Sequence, residues 1–411
     1  MQKIEHLIIG GGIAGTTAAE TIRQNNVSAI IAIISDEPYR LYSRILLSKP
    51  NFFLEKIPFE QIWLKKESWY AENNIRLISG KSAVRFDPQT KIVVLNTGEE
   101  LEYGKLLLAV GGCARRWGIP GAERSGIFYL RTLDDAKAIM AAVKTAKHAV
   151  AIGGGFVSFE MCDMLRLAGV DVTLLLREPY YWDPILDETS GRMIEAVLEK
   201  GGVKIRRNTE VGKIIGHDLV EAVEINGGEK IACDMLIVGI GVFCPFAWLE
   251  AAGVKVGRGI LANEYLETNL PDVWVAGDAA EFDDVILGEK IQLGNWVNAQ
   301  MQGRTAGMNM LGKKEQFRMV SFYTTNGFGM TIAFVGDIRP LPDRIVISRG
   351  SADAGSYVRI ISKDGEIIGA TLINRTQELS AISKLIENNF KIAGHEKEFA
   401  DTGLDLKKLL L

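Results

Sequence analysis

The sequence predicts an α/β fold class, with two parallel-sheet domains followed by a C-terminal α+β domain of antiparallel strands. The first observation is a strand, a glycine turn, a helix and a second strand in residues 6–38, HLIIGGGIAGTTAAETIRQNNVSAIIAIISDEP. The second is the same pattern in residues 149–179, AVAIGGGFVSFEMCDMLRLAGVDVTLLLREP. The third is an alternation of apolar and polar residues, with Asp-Gly turns, after residue 320. A βαβ unit written twice, a domain length apart, predicts two domains rather than a solenoid.

The first glycine turn has the complete GxGxxG spacing at Gly10, Gly12 and Gly15. It follows a strand and opens a helix, which is the context in which this motif binds the pyrophosphate of a dinucleotide. Roughly twenty residues further on, Glu37 ends the second strand where a ribose hydroxyl is expected, with Asp36 as the alternative. These features together predict a Rossmann-like nucleotide-binding domain.

The second glycine turn keeps Gly153 and Gly155 and has Ser158 at the third position, which is small enough for the helix to pack on the strand. Leu176 stands where the ribose-binding acid is expected, and Arg177 follows it. A leucine cannot accept a hydrogen bond from a 2′-hydroxyl, whereas a guanidinium suits a 2′-phosphate. The pattern predicts that NADPH is used at least as well as NADH, and an exposed, uninvolved Arg177 is the alternative.

The composition of the 411-residue chain is that of a globular protein, with 47% hydrophobic and 24% charged residues. The net charge of −4 gives no general reason to expect nucleic acid or an anionic membrane as a partner. No stretch approaches the roughly 20 apolar residues of a spanning helix, and the N-terminus enters a predicted strand without a signal-peptide pattern, so we expect a cytoplasmic protein. We expect no metal site, because metal-ligand spacing is lacking among Cys113, Cys162, Cys233 and Cys244.

Five further motifs accompany the glycine turns in a fixed order: DEPYRLYSRILLSK, LLLAVGG, YLRTLDDA, VWVAGDAA and NWVNAQMQG. Together they resemble the FAD- and NAD(P)H-dependent pyridine nucleotide-disulfide oxidoreductase superfamily, in its rubredoxin/ferredoxin (putidaredoxin) reductase-like branch. The likeness covers essentially the whole chain. It implies that the cofactors are FAD and NADPH and/or NADH.

The resemblance also implies binding residues in both nucleotide domains. Roles in binding FAD fall on Gly10, Gly12, Ala14, Gly15, Glu37, Arg44, Lys49, Ala83, Gly111, Arg131, Gly277, Asp278 and Trp296. Roles in binding the nicotinamide nucleotide fall on Gly153, Gly155, Phe156, Val157, Ser158, Glu160, Arg177 and Gly241. For the three cations Arg44, Lys49 and Arg131 an ordinary salt bridge is the alternative. The stretch GVFCPF, which starts at Gly241, departs from the usual motif of the family. The resemblance therefore does not assign the contacts at the nicotinamide end of the nucleotide.

Lys49 and Glu160 are the catalytic residues that the resemblance implies. The family places such a glutamate near flavin N5, paired with the lysine of an LSK motif, and Glu160 lies shortly after the second glycine turn. Hydride would pass from nicotinamide C4 to flavin N5 beside this pair, and the flavin would release single electrons. The alternative to a catalytic role is that Glu160 is an ordinary acidic residue on the protein surface.

No cysteine occurs in RLYSRILLSKPNF, where disulfide reductases and thiol-dependent oxidases of the superfamily carry their redox cysteines. Thiol-relay chemistry is therefore excluded. We expect the electrons to pass to a small carrier protein, rubredoxin or a ferredoxin. The alternatives are a redox-sensing interaction flavoprotein similar to apoptosis-inducing factor, and a direct NAD(P)H oxidase. The resemblance allows a homodimer but does not assign the oligomeric state.

The expected domain boundaries follow these motifs. Residues 1–115 and 246–316 are expected to form a discontinuous FAD-binding domain, with an NAD(P)-binding domain at residues 116–245 inserted between them. Residues 317–411 are expected to form a C-terminal domain of the flavin-covering or dimerisation type. Tyr323 falls near the place where the family brings an aromatic ring to the flavin, with core packing as the alternative.

Overall fold

The computed structural model describes residues 3–410. The chain packs into two compact units, each built from three segments. The first unit consists of Met1–Ser43, Glu60–Cys113 and Phe243–Tyr323. The second consists of Arg44–Phe59, Ala114–Val242 and Thr324–Leu411.

Runs of consecutive strands are separated by helices along the chain. The strands are β1 (Lys3–Ile9), β2 (Ile31–Ser35), β3 (Ile75–Ser79), β4 (Ala83–Asp87), β5 (Ile92–Leu95), β6 (Glu100–Leu108), β7 (Cys113–Ala114), β8 (Ile127–Phe128), β9 (His148–Ile152), β10 (Asp171–Leu175), β11 (Val203–Arg206), β12 (Val211–Ile215), β13 (Ala222–Ile225), β14 (Lys230–Ala232), β15 (Met235–Val238), β16 (Val242–Phe243), β17 (Ile260–Ala262), β18 (Val273–Val275), β19 (Ala280–Asp284), β20 (Glu289–Gln292), β21 (Phe322–Gly327), β22 (Met330–Gly336), β23 (Ile345–Ser351), β24 (Ser356–Lys363) and β25 (Glu366–Ile373). The helices are α1 (Ile13–Asn25), α2 (Pro50–Phe53), α3 (Trp69–Glu72), α4 (Leu133–Val143), α5 (Phe156–Leu167), α6 (Glu188–Lys200), α7 (Ala247–Glu250), α8 (Trp296–Met310), α9 (Leu379–Glu387) and α10 (Glu396–Ala400). Short 3-10 helices lie at Arg44–Ser48, Phe59–Ile62, Thr376–Glu378 and Leu406–Leu410.

A seven-stranded sheet forms the core of the first unit, in the order β3-β2-β1-β6-β5-β4 with β18 paired to β6. Strand β1 runs parallel to both β2 and β6, and Ile8 pairs with Ile33 on one side and Leu107 on the other. These strands are rich in Ile and Leu because parallel strands are covered on both faces. Helices α1 and α8 pack closely, since a Cβ at Gly303 would lie only 2.1 Å from the Ala14 carbonyl oxygen.

A five-stranded parallel sheet forms the core of the nucleotide-binding part of the second unit, in the order β11-β10-β9-β15-β8. A three-stranded antiparallel sheet of β12, β13 and β14 accompanies it. Helix α4 begins with a capping box in which the side chain of Thr132 accepts from the Asp135 N–H and the Asp135 carboxylate accepts from the Thr132 N–H. This reciprocal pair satisfies two backbone donors and fixes the start of the helix.

The C-terminal part of the chain forms a five-stranded sheet in the order β21-β22-β25-β24-β23. The β22–β25, β23–β24 and β24–β25 pairs are antiparallel. Helix α9 buries Ile382 and Leu385. The sheet of the first unit is mixed, because β5 pairs antiparallel with both β4 and β6. Together with the parallel sheet of the second unit, the C-terminal sheet confirms the predicted α/β fold class with a C-terminal antiparallel domain.

Candidate nucleotide-binding sites

The first glycine turn lies between β1 and α1 in the first unit. Gly10 adopts φ +123°, and a Cβ there would lie 2.0 Å from the Ala109 carbonyl oxygen. A Cβ at Gly15 would lie 2.0 Å from the Gly10 oxygen, so both positions require glycine. At Gly12, by contrast, no atom of the described chain other than those of its immediate neighbours lies within 4 Å of such a Cβ. The turn is tight on its packed side and open at Gly12, which is the side that an anion would approach.

The N-terminus of α1 leaves backbone donors available at this open side. Gly12 is the N-cap residue, and no side chain of residues 3–410 caps the helix. The first N–H groups of a helix have no acceptor within the helix and carry partial positive charge. The turn therefore fits the pyrophosphate of FAD, whose negative charge these groups would stabilise.

Glu37 rather than Asp36 is the acid after β2 that is half-buried and bonded by another side chain. The Tyr42 hydroxyl donates to Glu37 Oε2 at 2.6 Å, and Glu37 is half-buried. The exposed Asp36 carboxylate instead accepts from the Glu37 N–H at 3.0 Å. Glu37 is thus held in place where the ribose of a bound adenosine is expected, and Tyr42 is a partner that the sequence did not indicate.

The other first-unit residues implied for FAD lie on several elements. Gly277 has φ +86°, and a Cβ there would lie 3.3 Å from the Ala14 side chain, so these two predicted residues are brought together. Trp296 begins α8, and Asp278 follows Gly277 and is half-buried. The remaining two are Gly111, with φ +61°, and Ala83, at the start of β4.

Two buried amides on α8 were missed by the sequence interpretation, although both lie in the quoted motif NWVNAQMQG. Gln302 Oε1 accepts from the Gly277 N–H at 2.7 Å, and the Asn298 side-chain amide donates to the Leu293 carbonyl at 2.9 Å. Gln302 Nε2 and Asn298 Oδ1 are buried without a hydrogen-bond partner in the described part of the chain. Such orphaned polar atoms beside the VAGD turn are consistent with a polar ligand at this site.

Lys49 and Glu160 are brought together in the second unit as an ion pair. Glu160 Oε1 accepts from the Lys49 ammonium and the Thr325 hydroxyl, while Oε2 accepts from the Ser48 hydroxyl. The side chains are 23% exposed for Lys49 and 12% for Glu160. Because three donors converge on one partly buried carboxylate, its orientation is fixed. The sequence indicated the ion pair but neither hydroxyl.

Three further charged residues of the second unit are Asp163, Arg44 and Arg131, and the charge of Lys49 acts on Asp163. Burial raises the pKa of the Asp163 carboxyl, although the Phe328 N–H and the Lys49 charge oppose that rise. Arg44 Nη1 donates to the Arg131 carbonyl oxygen at 2.8 Å, so these two predicted cations meet through a backbone contact.

A cavity of 690 Å³ lies beside the second glycine turn. Among its lining residues are the predicted Gly153, Gly155, Phe156, Val157, Arg177 and Gly241. The Ser158 hydroxyl instead donates to the Ile152 carbonyl at 3.0 Å, so Ser158 packs the helix on the strand as its size predicts. A Cβ at Gly155, like one at Gly12 in the first unit, would have no described atom beyond its immediate neighbours within 4 Å. The cavity therefore has the glycine turn, helix N-terminus and volume that a dinucleotide requires.

The end of β10 differs from the sequence interpretation in one respect. Leu176 is fully buried, and Arg177 donates from Nε and Nη2 to Glu178 Oε1 at 3.1 Å and 2.9 Å. Both Arg177 and Glu178 line the cavity, and their side chains are 72% and 23% exposed. The acid at this strand end is therefore Glu178, two residues after the expected position, and it is already paired with Arg177.

Within residues 3–410, no group of His, Cys, Asp and Glu side chains is arranged to hold a metal ion. In the same part of the chain, no helix combines the length and apolar character needed to cross a membrane.

Two protein families match this chain. The family described as pyridine nucleotide-disulphide oxidoreductase matches residues 4–303. The family described as reductase C-terminal matches residues 322–410. The two matches together span the two nucleotide turns and the C-terminal antiparallel sheet.

Similar proteins match over nearly the full chain. The ferredoxin–NAD(+) reductase component of the biphenyl dioxygenase system of Paraburkholderia xenovorans (strain LB400) is 30% identical over 404 residues, covering 98% of this chain and 97% of the relative. A ferredoxin–NAD(P)(+) reductase of Sphingomonas sp. is 30% identical over 384 residues, covering 93% and 92%. The crystal structure of the ferredoxin reductase for the CYP199A2 system from Rhodopseudomonas palustris is similar with a TM-score of 0.92 at 26% identity, covering 99% of this chain and all of that one. The chain belongs to the pyridine nucleotide-disulphide oxidoreductase family.

Proposed function

We propose that this protein takes reducing equivalents from NAD(P)H through FAD and passes electrons to a ferredoxin or a rubredoxin. Family membership makes it an oxidoreductase with FAD and NAD(P)H as its cofactors. The observation that carries the choice of acceptor is the similarity over nearly the full length to reductases whose names specify ferredoxin. When bound, FAD accepts two electrons with a hydride and can release them singly, as a one-electron carrier requires.

The two glycine turns bind the phosphates in this proposal. Gly12 and Gly155 cap α1 and α5 with no side chain of the described residues in the capping position. Their first-turn N–H groups would donate to the pyrophosphates of FAD and NAD(P)H respectively. Glu37, held by the Tyr42 hydroxyl, would accept from the ribose of the FAD adenosine.

The Lys49–Glu160 pair acts as a fixed charge pair beside the reacting centre in this proposal. That location comes from the family resemblance of the sequence. The structure contributes the three donors on Glu160, which hold its side chain in one orientation. A paired, oriented Lys49 keeps a positive charge at a constant place, which suits a site where negative charge develops.

Thiol chemistry has no place in this proposal. Residues 40–52, which carry the redox cysteines of disulfide reductases, contain none in this chain. Burial raises the pKa of Cys233 to about 12 and raises that of Cys162 further, so neither forms a nucleophilic thiolate. None of the four cysteines forms a disulfide within residues 3–410, which supports our proposal of a cytoplasmic location.

Reoxidation of the reduced protein tests the proposed acceptor. The holoenzyme is reduced anaerobically with NADPH or NADH and mixed with a [2Fe–2S] ferredoxin, a rubredoxin or dioxygen, while absorbance is followed in the visible range. We expect the iron–sulfur or iron carrier to reoxidise the protein many times faster than dioxygen does. A long-lived complex that resists both carriers would favour a redox-sensing protein, and rapid reaction with dioxygen alone would favour an oxidase.

A further inference from the structure

The segment Tyr180–Trp182 lies against the second glycine turn, a contact that the glycine motif does not predict. The Tyr181 hydroxyl donates to the Gly155 carbonyl oxygen at 2.7 Å, and Tyr181 is fully buried. A Cβ at Gly154 would lie 3.1 Å from the backbone N of Trp182. The middle and last glycines of the turn are thus both in contact with a segment that follows the next strand.

The hydrogen bond from Tyr181 orients the peptide group between Gly155 and Phe156, whose N–H can donate to an anion. The Gly155 carbonyl accepts both from Tyr181 and from the Phe159 N–H at 3.1 Å, the first bond of α5. A carbonyl oxygen repels phosphate, so it must stay turned away from the ligand. The other end of the same peptide group is the Phe156 N–H, one of the donors without a helical acceptor. Holding the carbonyl therefore also holds this donor.

Trp182, next to Phe156, has an unusual backbone conformation. Its φ is +67°, in the left-handed region that residues other than glycine seldom adopt. Its ring packs edge-on against Phe156 at 4.2 Å between centroids and against Phe334 at 5.2 Å. Trp182 and Phe156 both line the 690 Å³ cavity, and Trp182 is half-buried. A strained, well-packed aromatic residue at the wall of a cavity is typical of a binding site.

We propose that Tyr181 is a positioning residue and Trp182 a contact residue for the diphosphate portion of the nicotinamide dinucleotide. Tyr181 holds the Gly155–Phe156 peptide group in the orientation that presents its N–H to phosphate. Trp182 supplies an aromatic wall against the diphosphate and its adjoining ribose. The inference rests on the proposed use of this cavity for NAD(P)H.

Tyr181→Phe tests the positioning role in the FAD-loaded protein. The probe is ADP-ribose, which carries the diphosphate and is redox-inert, titrated by calorimetry. We expect its Kd to rise about 3- to 10-fold, as for loss of one oriented hydrogen bond. The KM for NADH should rise by a similar factor with kcat unchanged, using ferricyanide as acceptor. The fold should persist, because Gly155 keeps its bond from the Phe159 N–H.

Tyr103→Phe is the matched control for loss of a buried tyrosine hydroxyl. Tyr103 is 1% exposed in the first unit, and its hydroxyl has no hydrogen-bond partner within residues 3–410. Its removal should leave the Kd for ADP-ribose unchanged. A wild-type Kd in Tyr181→Phe, or an equal rise in both variants, would overturn the role of Tyr181.

Tryptophan fluorescence tests Trp182 separately. ADP-ribose should change the emission of the wild type, and Trp182→Phe should abolish most of that change, although the chain has 7 tryptophans. Trp248→Phe, which alters a residue packed on Phe86 in the first unit, should retain it. An undiminished change in Trp182→Phe would overturn the contact. If the wild type itself failed to bind ADP-ribose, the proposed nucleotide site would be wrong rather than the roles of these two residues.

Discussion

Replacing Glu178 with Gln should raise the use of NADPH relative to NADH. Glu178 Oε1 accepts two hydrogen bonds from Arg177, and both side chains line the cavity of the second unit. A 2′-phosphate must compete with this carboxylate for the guanidinium and also meets its negative charge. The Glu178→Gln substitution removes the charge while keeping the size of the side chain, so Arg177 becomes available to the phosphate.

The expected magnitude is modest because the pair is open to solvent. The Arg177 side chain is 72% exposed, and an exposed ion pair is worth about 0.2–1 kcal/mol. Releasing Arg177 and removing one like charge should together favour NADPH by about 1 kcal/mol, or about fivefold in the ratio of kcat/KM values. Arg177→Ala should shift the same ratio in the opposite direction.

The assay measures kcat/KM for NADPH and NADH with ferricyanide in the wild type, Arg177→Ala, Glu178→Gln and the double variant. Ionic strength is held constant, because screening acts directly on such exposed charges. The double variant should show a smaller gain from removal of Glu178 than the wild type does, since only the loss of the like charge remains when Arg177 is absent. Unchanged ratios in both single variants would refute phosphate recognition at this strand end. A selective loss of NADH use in Glu178→Gln would instead assign Glu178 to the ribose hydroxyls.

Three further predictions concern catalysis and stability. Lys49→Ala and Glu160→Ala should each slow flavin reduction by NADH about tenfold in stopped-flow experiments, because each leaves a partly buried partner charge unpaired. Arg349→Met should lower the free energy of unfolding in urea by about 3–5 kcal/mol, since the buried Arg349 pairs with Glu378 and bonds three backbone carbonyls. Burial, aided by the Lys105 charge, lowers the pKa of His6 to about 4. Its folded pKa is below the unfolded value, so stability should fall as pH drops from about 6.5 to about 4 and this loss should be smaller in His6→Gln.

Each of these predictions has an outcome that contradicts it. Equal reduction rates in the wild type and both alanine variants would show that the Lys49–Glu160 pair is only structural. An Arg349→Met variant as stable as Arg339→Met, which alters a more exposed arginine, would show that burial of the Arg349 guanidinium adds no stability. Parallel stability curves for the wild type and His6→Gln between pH 4 and pH 6.5 would rule out His6 titration as the cause.

The sequence predicted well what depends on local chain geometry. Each βαβ unit is a contiguous pattern, and Gly15 is required by a contact within its unit, with the Gly10 carbonyl. Gly10 itself is required by the Ala109 carbonyl, which lies far along the chain. The pairing of Lys49 with Glu160 spans 111 residues, and it came from family resemblance rather than from spacing. Ser48 and Thr325 donate to the same carboxylate. Serine and threonine are so common that the sequence around them does not indicate a partner far along the chain.

Comparison of the two glycine turns explains why the acid expected at position 176 is found instead at Glu178 in the second unit. At the middle glycine of the first turn, a Cβ on Gly11 would lie 2.7 Å from the side chain of Ser35, the last residue of β2. At the corresponding Gly154, a Cβ would lie 3.2 Å from Cδ2 of the fully buried Leu176. Leu176 therefore occupies a packing position rather than an acid's position left vacant by substitution. An ionised carboxylate there would be buried without a partner, at a cost of several kcal/mol. We therefore propose that Arg177 and Glu178, the next two residues of the chain, recognise the ribose end of the nucleotide.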